Sequence, residues 1–305
     1  MTRHIVIDCD PGTDDAVALW LALASPELAV EAITVAGGNV GLERTLTNAR
    51  AIASLAGGAV PVHAGAGRPL LGRFTSAETV HGPDGLNGVK LPPGRPPAPG
   101  LAADAIRARL RTSTDPLTLV GIGPATNLAL ALATEPALAA RIAEIVLMTG
   151  AWGEGNVTPA AEFNAWSDPE ALAMVLACGR PITLVTLELT AQALVTPSRI
   201  AALRGRSDSA CLHAACDILA AAPPPARLPG LPLHDPCAIA WLLRPDLFSG
   251  RDCAVRVEAG DGEGRGRTHI DRWQLSGRPA NAHILERLDA DGFFDLLGQR
   301  LAALP

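Results

Sequence analysis

The stretch Ile5-Val6-Ile7-Asp8-Cys9-Asp10-Pro11-Gly12-Thr13-Asp14-Asp15-Ala16-Val17-Ala18-Leu19 changes character in its middle. Ile5 to Ile7 is a β-branched run, Pro11-Gly12 turns the chain, and Asp14-Asp15 give an acidic first turn to a helix that continues through apolar residues. A buried strand feeding a helix through a tight turn opens a parallel α/β unit. Alternation with period two puts Asp8 and Asp10 on one face. Four carboxylates then fall at the carboxyl end of a strand, where open α/β sheets bind ligands. Anions this crowded repel and raise one another's pKa unless a cation or hydrogen-bond donors offset them. A helix N-terminus accommodates one or two acids. The remainder predicts a metal site, and an all-oxygen donor set favours Ca2+ or Mg2+ over zinc.

Working outward, apolar β-rich runs alternate with helical patterns. Strands are expected at 4–8, 30–35, 60–63, 117–121, 144–149 and 182–187, and helices at 14–24, 43–56, 101–111, 124–133 and 169–178. Asp168-Pro169 pairs an N-cap with proline at the first helical position. Beyond about residue 190 the pattern predicts helices at 197–203 and 209–221, strand-like segments at 253–258 and 268–275, and a closing helix from about 291. The expected fold is α/β, a mostly parallel central sheet flanked by helices, in one domain over 1–305 with a helical C-terminal elaboration. Residues 64–100 and the proline-dense 222–232 read as connectors or functional lids.

Composition excludes several classes. Hydrophobic residues make up 48% and charged residues 18%, with no apolar run near the about 20 residues that span a bilayer. Asp and Glu number 31 against 25 Lys and Arg, for a net charge of −6, and Lys90 is the single lysine. Without a basic run, neither nucleic acid nor an anionic membrane is expected as a partner. The N-terminus lacks the regions of a signal peptide, so a cytoplasmic protein is expected. Six scattered cysteines with no C-x-x-C pattern read as reduced, buried thiols.

Asp8-Cys-Asp10-Pro-Gly-Thr-Asp14-Asp15-Ala resembles the N-terminal motif of the nucleoside hydrolases, the inosine–uridine-preferring N-ribohydrolases. Further matches follow in chain order: Gly37-Gly38-Asn39, Gly123-Pro124-Ala-Thr-Asn127, Val146-Leu-Met148, Gly155-Asn156 through Glu162-Phe-Asn164, Asp168-Pro-Glu-Ala and His234-Asp235-Pro236. Together they cover most of the chain; the last sixty or so residues match loosely.

The resemblance implies calcium-dependent hydrolysis of the N-glycosidic bond of purine or pyrimidine ribonucleosides. It implies a Ca2+ held by Asp10, Asp15, Asp235 and the main-chain carbonyl of Ile122, where the family often has threonine. Asp10 is implied as the base that activates a calcium-bound water. Asp14, Asn39, Asn156, Glu162 and Asn164 resemble ribose ligands, with Asp235 also at the sugar and Met148 beneath it; such groups give the mixed donors and acceptors that a polyol requires. A departing base needs a proton or a strong hydrogen bond, and His234 resembles the histidine assigned that task; His81 resembles one that contacts the base. A homodimer or homotetramer is implied likewise. Two departures stand out. Glu188-Leu-Thr190-Ala191-Gln192 sits where many members carry Asp-Leu-Thr-His-Gln, and the chain has no tyrosine to stack on a base.

Two other functions fit part of the pattern. Asp8-x-Asp10 after an apolar strand also resembles the first motif of haloacid-dehalogenase-like Mg2+-dependent phosphohydrolases, which need a downstream lysine; only Lys90 is available. A non-catalytic ribose- or nucleoside-binding protein would keep the sugar ligands but has no use for both Asp10 as base and His234 as acid.

Overall fold

A computed structural model describes residues 2–225 and 228–305. Its strands are β1 (Arg3–Cys9), β2 (Leu28–Val35), β3 (Val62–Ala64), β4 (Leu117–Gly121), β5 (Ile142–Met148), β6 (Ile182–Val185), β7 (Leu194–Val195), β8 (Leu231–Pro232), β9 (Phe248–Val257), β10 (Thr268–Asp271) and β11 (Ala282–Leu288). The α-helices are α1 (Thr13–Leu23), α2 (Leu42–Leu55), α3 (Glu78–His81), α4 (Ala102–Thr112), α5 (Thr126–Thr134), α6 (Phe163–Ser167), α7 (Pro169–Leu176), α8 (Leu187–Thr190), α9 (Pro197–Arg204), α10 (Ala210–Ala221), α11 (Pro236–Leu243) and α12 (Ala290–Leu301). None is long and apolar enough to cross a membrane, among the described residues.

The main sheet runs β10-β9-β11-β6-β5-β4-β1-β2-β3, and β7 with β8 forms a separate short ribbon. From β3 through β11 every neighbouring pair is parallel; only β9 is reversed, pairing antiparallel with β11 on one side and β10 on the other. The predicted α/β architecture is thus present, with one correction at the C-terminal end. The elaboration is helical only in part, because β9, β10 and the unpredicted β11 extend the sheet, and the predicted strand at 268–275 stops at Asp271.

Period-two alternation divides the core. Ile5, Ile7 and Cys9 pack with Trp20 and the helices on one face, whereas Val6 packs with Leu128 and Leu172 on the other. Trp20 is fully buried and donates its indole N–H to the Ile52 carbonyl at 3.1 Å, fixing α1 to α2.

Asp8 belongs to this framework. It aligns with Thr34 on β2 and Gly121 on β4, and its Oδ1 accepts from the Thr34 hydroxyl at 2.6 Å and Asn127 Nδ2 at 2.9 Å. Asn127 Oδ1 in turn accepts the Ala66 N–H at 2.8 Å. Asp168 makes a similar hub: it caps α7 through the Ala171 N–H at 3.0 Å and takes the Thr126 hydroxyl at 2.7 Å and the Leu70 N–H at 2.8 Å. These two acids moor the loop between β3 and α3.

Candidate active site

The turn between β1 and α1 is built around Asp15. Its carboxylate accepts the backbone N–H of Asp10 at 3.1 Å and of Gly12 at 3.0 Å, so the helix start is capped from within. Asn39, after β2, binds the same turn: its N–H reaches Asp10 Oδ2 at 2.7 Å, and its side-chain amide donates to the Asp10 carbonyl at 3.1 Å and Asp15 Oδ2 at 3.0 Å. Gly38 and Gly123 press on Asp10 from two sides, where a Cβ on either would overlap its carboxylate.

Asp10, Asp14, Asp15 and Asp235 are all buried. Asp14, Asp15 and Asp235 bring oxygens within 4.8 Å of one another, and Asp10 Oδ1 is a buried acceptor with no hydrogen-bond partner among the described residues. Burial, then the Asp15 charge, raises Asp10 well above the ordinary carboxylate range. Burial, then the Asp14 charge, lifts Asp15 to about 7, and the same causes raise Asp235. Each buried charge costs several kcal/mol, against at most about 2 kcal/mol from a helix N-terminus. The α1 dipole therefore does not offset this cluster; protons or a cation must.

Asn164 ties the far wall together. Its amide donates to the Ile122 carbonyl at 3.2 Å and the Met148 carbonyl at 3.0 Å, and lies 3.8 Å from the Met148 sulfur. Glu162 caps α6: Oε1 accepts the Asn164 N–H at 2.7 Å, while Oε2 takes Gly150 N–H at 2.9 Å, Ala165 N–H at 3.0 Å and the Thr149 hydroxyl at 3.2 Å. Burial raises its pKa and these four donors lower it. Asn156 is exposed, with Oδ1 accepting the Phe163 N–H at 2.9 Å.

Two histidines complete the group. His81 ends α3 and is buried, its Nδ1 3.1 Å from the Thr13 backbone nitrogen and 3.0 Å from the Thr13 hydroxyl. Partly buried His234 precedes α11, with Nδ1 2.7 Å from the Thr190 hydroxyl. Burial lowers both pKa values and the Asp14 charge opposes it; a charged His234 would also depress His81.

The structure thus gathers Asp10, Asp14, Asp15, Asn39 and Asp235, ties Ile122 and Met148 to Asn164, which Glu162 holds in turn, and anchors His81 on Thr13 and His234 on Thr190. Asp8 adds its charge to the rise at Asp10, but its Oδ1 is spent on Thr34 and Asn127. The structure also adds residues that the sequence reading missed. Thr13 and Thr190 hold the histidines, and Thr268 of β10 clamps Ala151, accepting its N–H at 2.9 Å and donating to its carbonyl at 2.7 Å. Around the Ala191 departure, Gln192 still stitches α8 to β11 through the Glu286 carbonyl at 2.9 Å and the Leu288 N–H at 3.1 Å. Of the aromatics near the ribose motif, Trp152 has one face covered by Arg272, 4.5 Å from the ring centroid. The proposed flap at 222–232 includes Ala226 and Arg227, which lie outside the described residues. Lys90 is 81% exposed and paired with Asp84 at 2.8 Å.

A family model described as inosine-uridine preferring nucleoside hydrolase matches residues 5–295. The chain is 46% identical over 303 residues to the pyrimidine-specific ribonucleoside hydrolase RihA of Shewanella baltica, covering 97% of this chain and 95% of that protein. Among solved structures, a plant nucleoside hydrolase superposes with a TM-score of 0.90 at 32% identity, covering 99% of both chains. A purine-preferring ribonucleoside hydrolase from Gardnerella vaginalis also gives 0.90, at 30% identity over 98% of each.

Proposed function

The chain belongs to the inosine-uridine preferring nucleoside hydrolase family, and from that premise we propose that it hydrolyses pyrimidine ribonucleosides, with calcium bound at Asp10, Asp15, Asp235 and the Ile122 carbonyl. The family membership carries the reaction class, cleavage of an N-glycosyl bond by water. The pyrimidine preference follows the 46% identity to the RihA protein, against 30% to the purine-preferring one.

The donor set fits a hard cation. The carboxylates are buried, their neighbours in charge are one another, and Asp10 Oδ1 has no other partner among the described residues. When bound, calcium would supply positive charge that makes water more acidic and engages ribose hydroxyls.

The remaining steps belong to the protein. Asp10 takes a proton from the attacking water as its oxygen bonds to the anomeric carbon. The bond from that carbon to the base nitrogen breaks, and the base leaves with that electron pair and a proton from His234. In between, the ribosyl group carries positive charge, which Asp14 and Glu162 stabilise more than they stabilise the neutral substrate. Asp14, Asn39, Asn156, Glu162, Asn164 and Asp235 bind the ribose hydroxyls, and Met148 packs under the ring. His81 meets the base.

The observation that carries the mechanism is the buried Asp10 Oδ1, which has no hydrogen-bond partner among the described residues and whose carboxyl feels the Asp15 and Asp14 charges. The test is ribose release from uridine, cytidine and inosine, with calcium and after chelation. Turnover should depend on the metal, favour the pyrimidines and disappear in Asp10→Asn. Near-normal turnover in that variant removes Asp10 as the base, and hydrolysis of p-nitrophenyl phosphate without nucleoside cleavage would favour the phosphohydrolase reading.

A further inference from the structure

Thr13 is the first residue of α1, and its backbone N–H is one of those at a helix start with no acceptor inside the helix. Here that hydrogen goes to His81 Nδ1, 3.1 Å away, and the Thr13 hydroxyl stands 3.0 Å from the same atom. Gly12 permits the approach: a Cβ there would lie 2.6 Å from Nδ1. A backbone amide can only donate, so Nδ1 must present its lone pair, and the single ring hydrogen of neutral imidazole then sits on Nε2. Protonating Nδ1 as well would set one N–H against another at the positive end of α1. His234 is placed differently. Its Nδ1 faces the Thr190 hydroxyl, which can accept an N–H because its own hydrogen has an outlet at the Leu187 carbonyl, 3.2 Å away.

We propose that Thr13 is a positioning residue that fixes His81 as the neutral Nε2–H tautomer, so that His81 meets the leaving base as a hydrogen-bond donor and not as an acid. The proposal rests on nucleoside hydrolysis only for what His81 touches; the tautomer is a property of the chain itself.

The experiment is nitrogen NMR on the full chain labelled with 15N-histidine, with and without calcium. The signals of His81 among the seven histidines are assigned by their loss in His81→Gln. His81 is expected to show an unprotonated Nδ1 and a protonated Nε2 in both samples; a protonated Nδ1 overturns the proposal. Kinetics on uridine give the second readout. Gln offers a neutral N–H donor but no titrating proton, so His81→Gln should exceed His81→Ala by about tenfold in kcat/KM. Equal loss in both would make His81 an acid and sink the idea. Thr13→Val should lower kcat/KM by about fivefold and Thr13→Ser restore it, since only the hydroxyl of the pair is removed; unchanged kinetics in Thr13→Val would deny Thr13 its hydroxyl role. Because the NMR signature needs no turnover, a chain that cleaves no nucleoside refutes the functional reading and leaves the tautomer to be decided separately.

Discussion

The Thr190 hydroxyl lies 2.7 Å from His234 Nδ1, joining the end of α8 to the residue before Asp235. With the Leu187 carbonyl 3.2 Å away to take its hydrogen, Thr190 can hold the imidazole both neutral and charged. Thr190→Val keeps the shape and loses the anchor. General acid catalysis contributes about 10²–10⁴-fold, and loosening the acid should forfeit about tenfold of that in kcat on uridine. Thr190→Ser should retain most of it. Steady-state kinetics decide, and an unaltered kcat in Thr190→Val would mean that His234 needs no such support.

Gly38 and Gly123 bracket the Asp10 carboxylate so tightly that a methyl group on either would displace it. Gly38→Ala is expected to cost at least about 100-fold in kcat, since misplacement of a reacting group by about 1 Å costs that much. Gly262→Ala, with open space around the new methyl, should be silent. Equal activity of the two variants would place Asp10 outside the reacting geometry.

Removing the metal should expose the crowding of the acids. Burial first, and then neighbouring carboxylates, raise Asp10, Asp15 and Asp235, Asp15 to about 7. In the metal-free fold these groups hold protons more tightly than in the unfolded chain, where an Asp titrates near ~3.9. The stability they contribute is therefore full below about pH 4 and is lost as pH rises toward about 7. The metal-free Tm should accordingly fall between about pH 5 and about pH 7.5. Calcium at 100 times its Kd would restore about 2.7 kcal/mol, roughly 4 °C for a chain of this size, and a fixed calcium concentration should restore more at the higher pH, where fewer protons compete for the carboxylates. Calorimetry with chelator and with calcium checks this; a Tm at neutral pH that ignores calcium would exclude a cation from the cluster.

Thr268 acts on the site from a strand at the far edge of the sheet. It is buried, and it both accepts from and donates to Ala151, so Thr268→Val leaves two backbone groups unpaired at about 1–3 kcal/mol each. Urea denaturation should show that loss. KM should rise more than kcat falls, because the loop from Gly150 to Glu162 carries the proposed sugar ligands and not the proposed base Asp10. Wild-type stability and KM in the variant would mean that the clamp is dispensable.

The parallel half of the sheet was legible because its strands are short apolar runs between helical patterns, and Asp10, Asp14 and Asp15 were legible because so many acids have no cheap structural use. Asp8 has a second use that the local pattern does not show: its Oδ1 is taken by Thr34 and Asn127, 26 and 119 positions away, while its charge still adds to the rise at Asp10. β11 was missed because Ala282-His-Ile-Leu-Glu-Arg-Leu mixes charge into a strand whose place between β6 and β9 depends on distant partners. The supporting threonines carry no local signal: Thr13, Thr190 and Thr268 meet partners 68, 44 and 117 positions away.

The order of these elements along the chain sets a schedule for biosynthesis. Every proposed metal and sugar ligand has left the ribosome once Asp235 emerges, yet β6 still lacks its outer neighbour β11, and the Gly150 turn lacks Thr268. A nascent chain thus carries the whole set of reacting groups before it has the means to hold them in place. On the proposed assignment, catalytic competence is expected only with the last strands, and a chain truncated before β10 should keep every proposed ligand and lose activity.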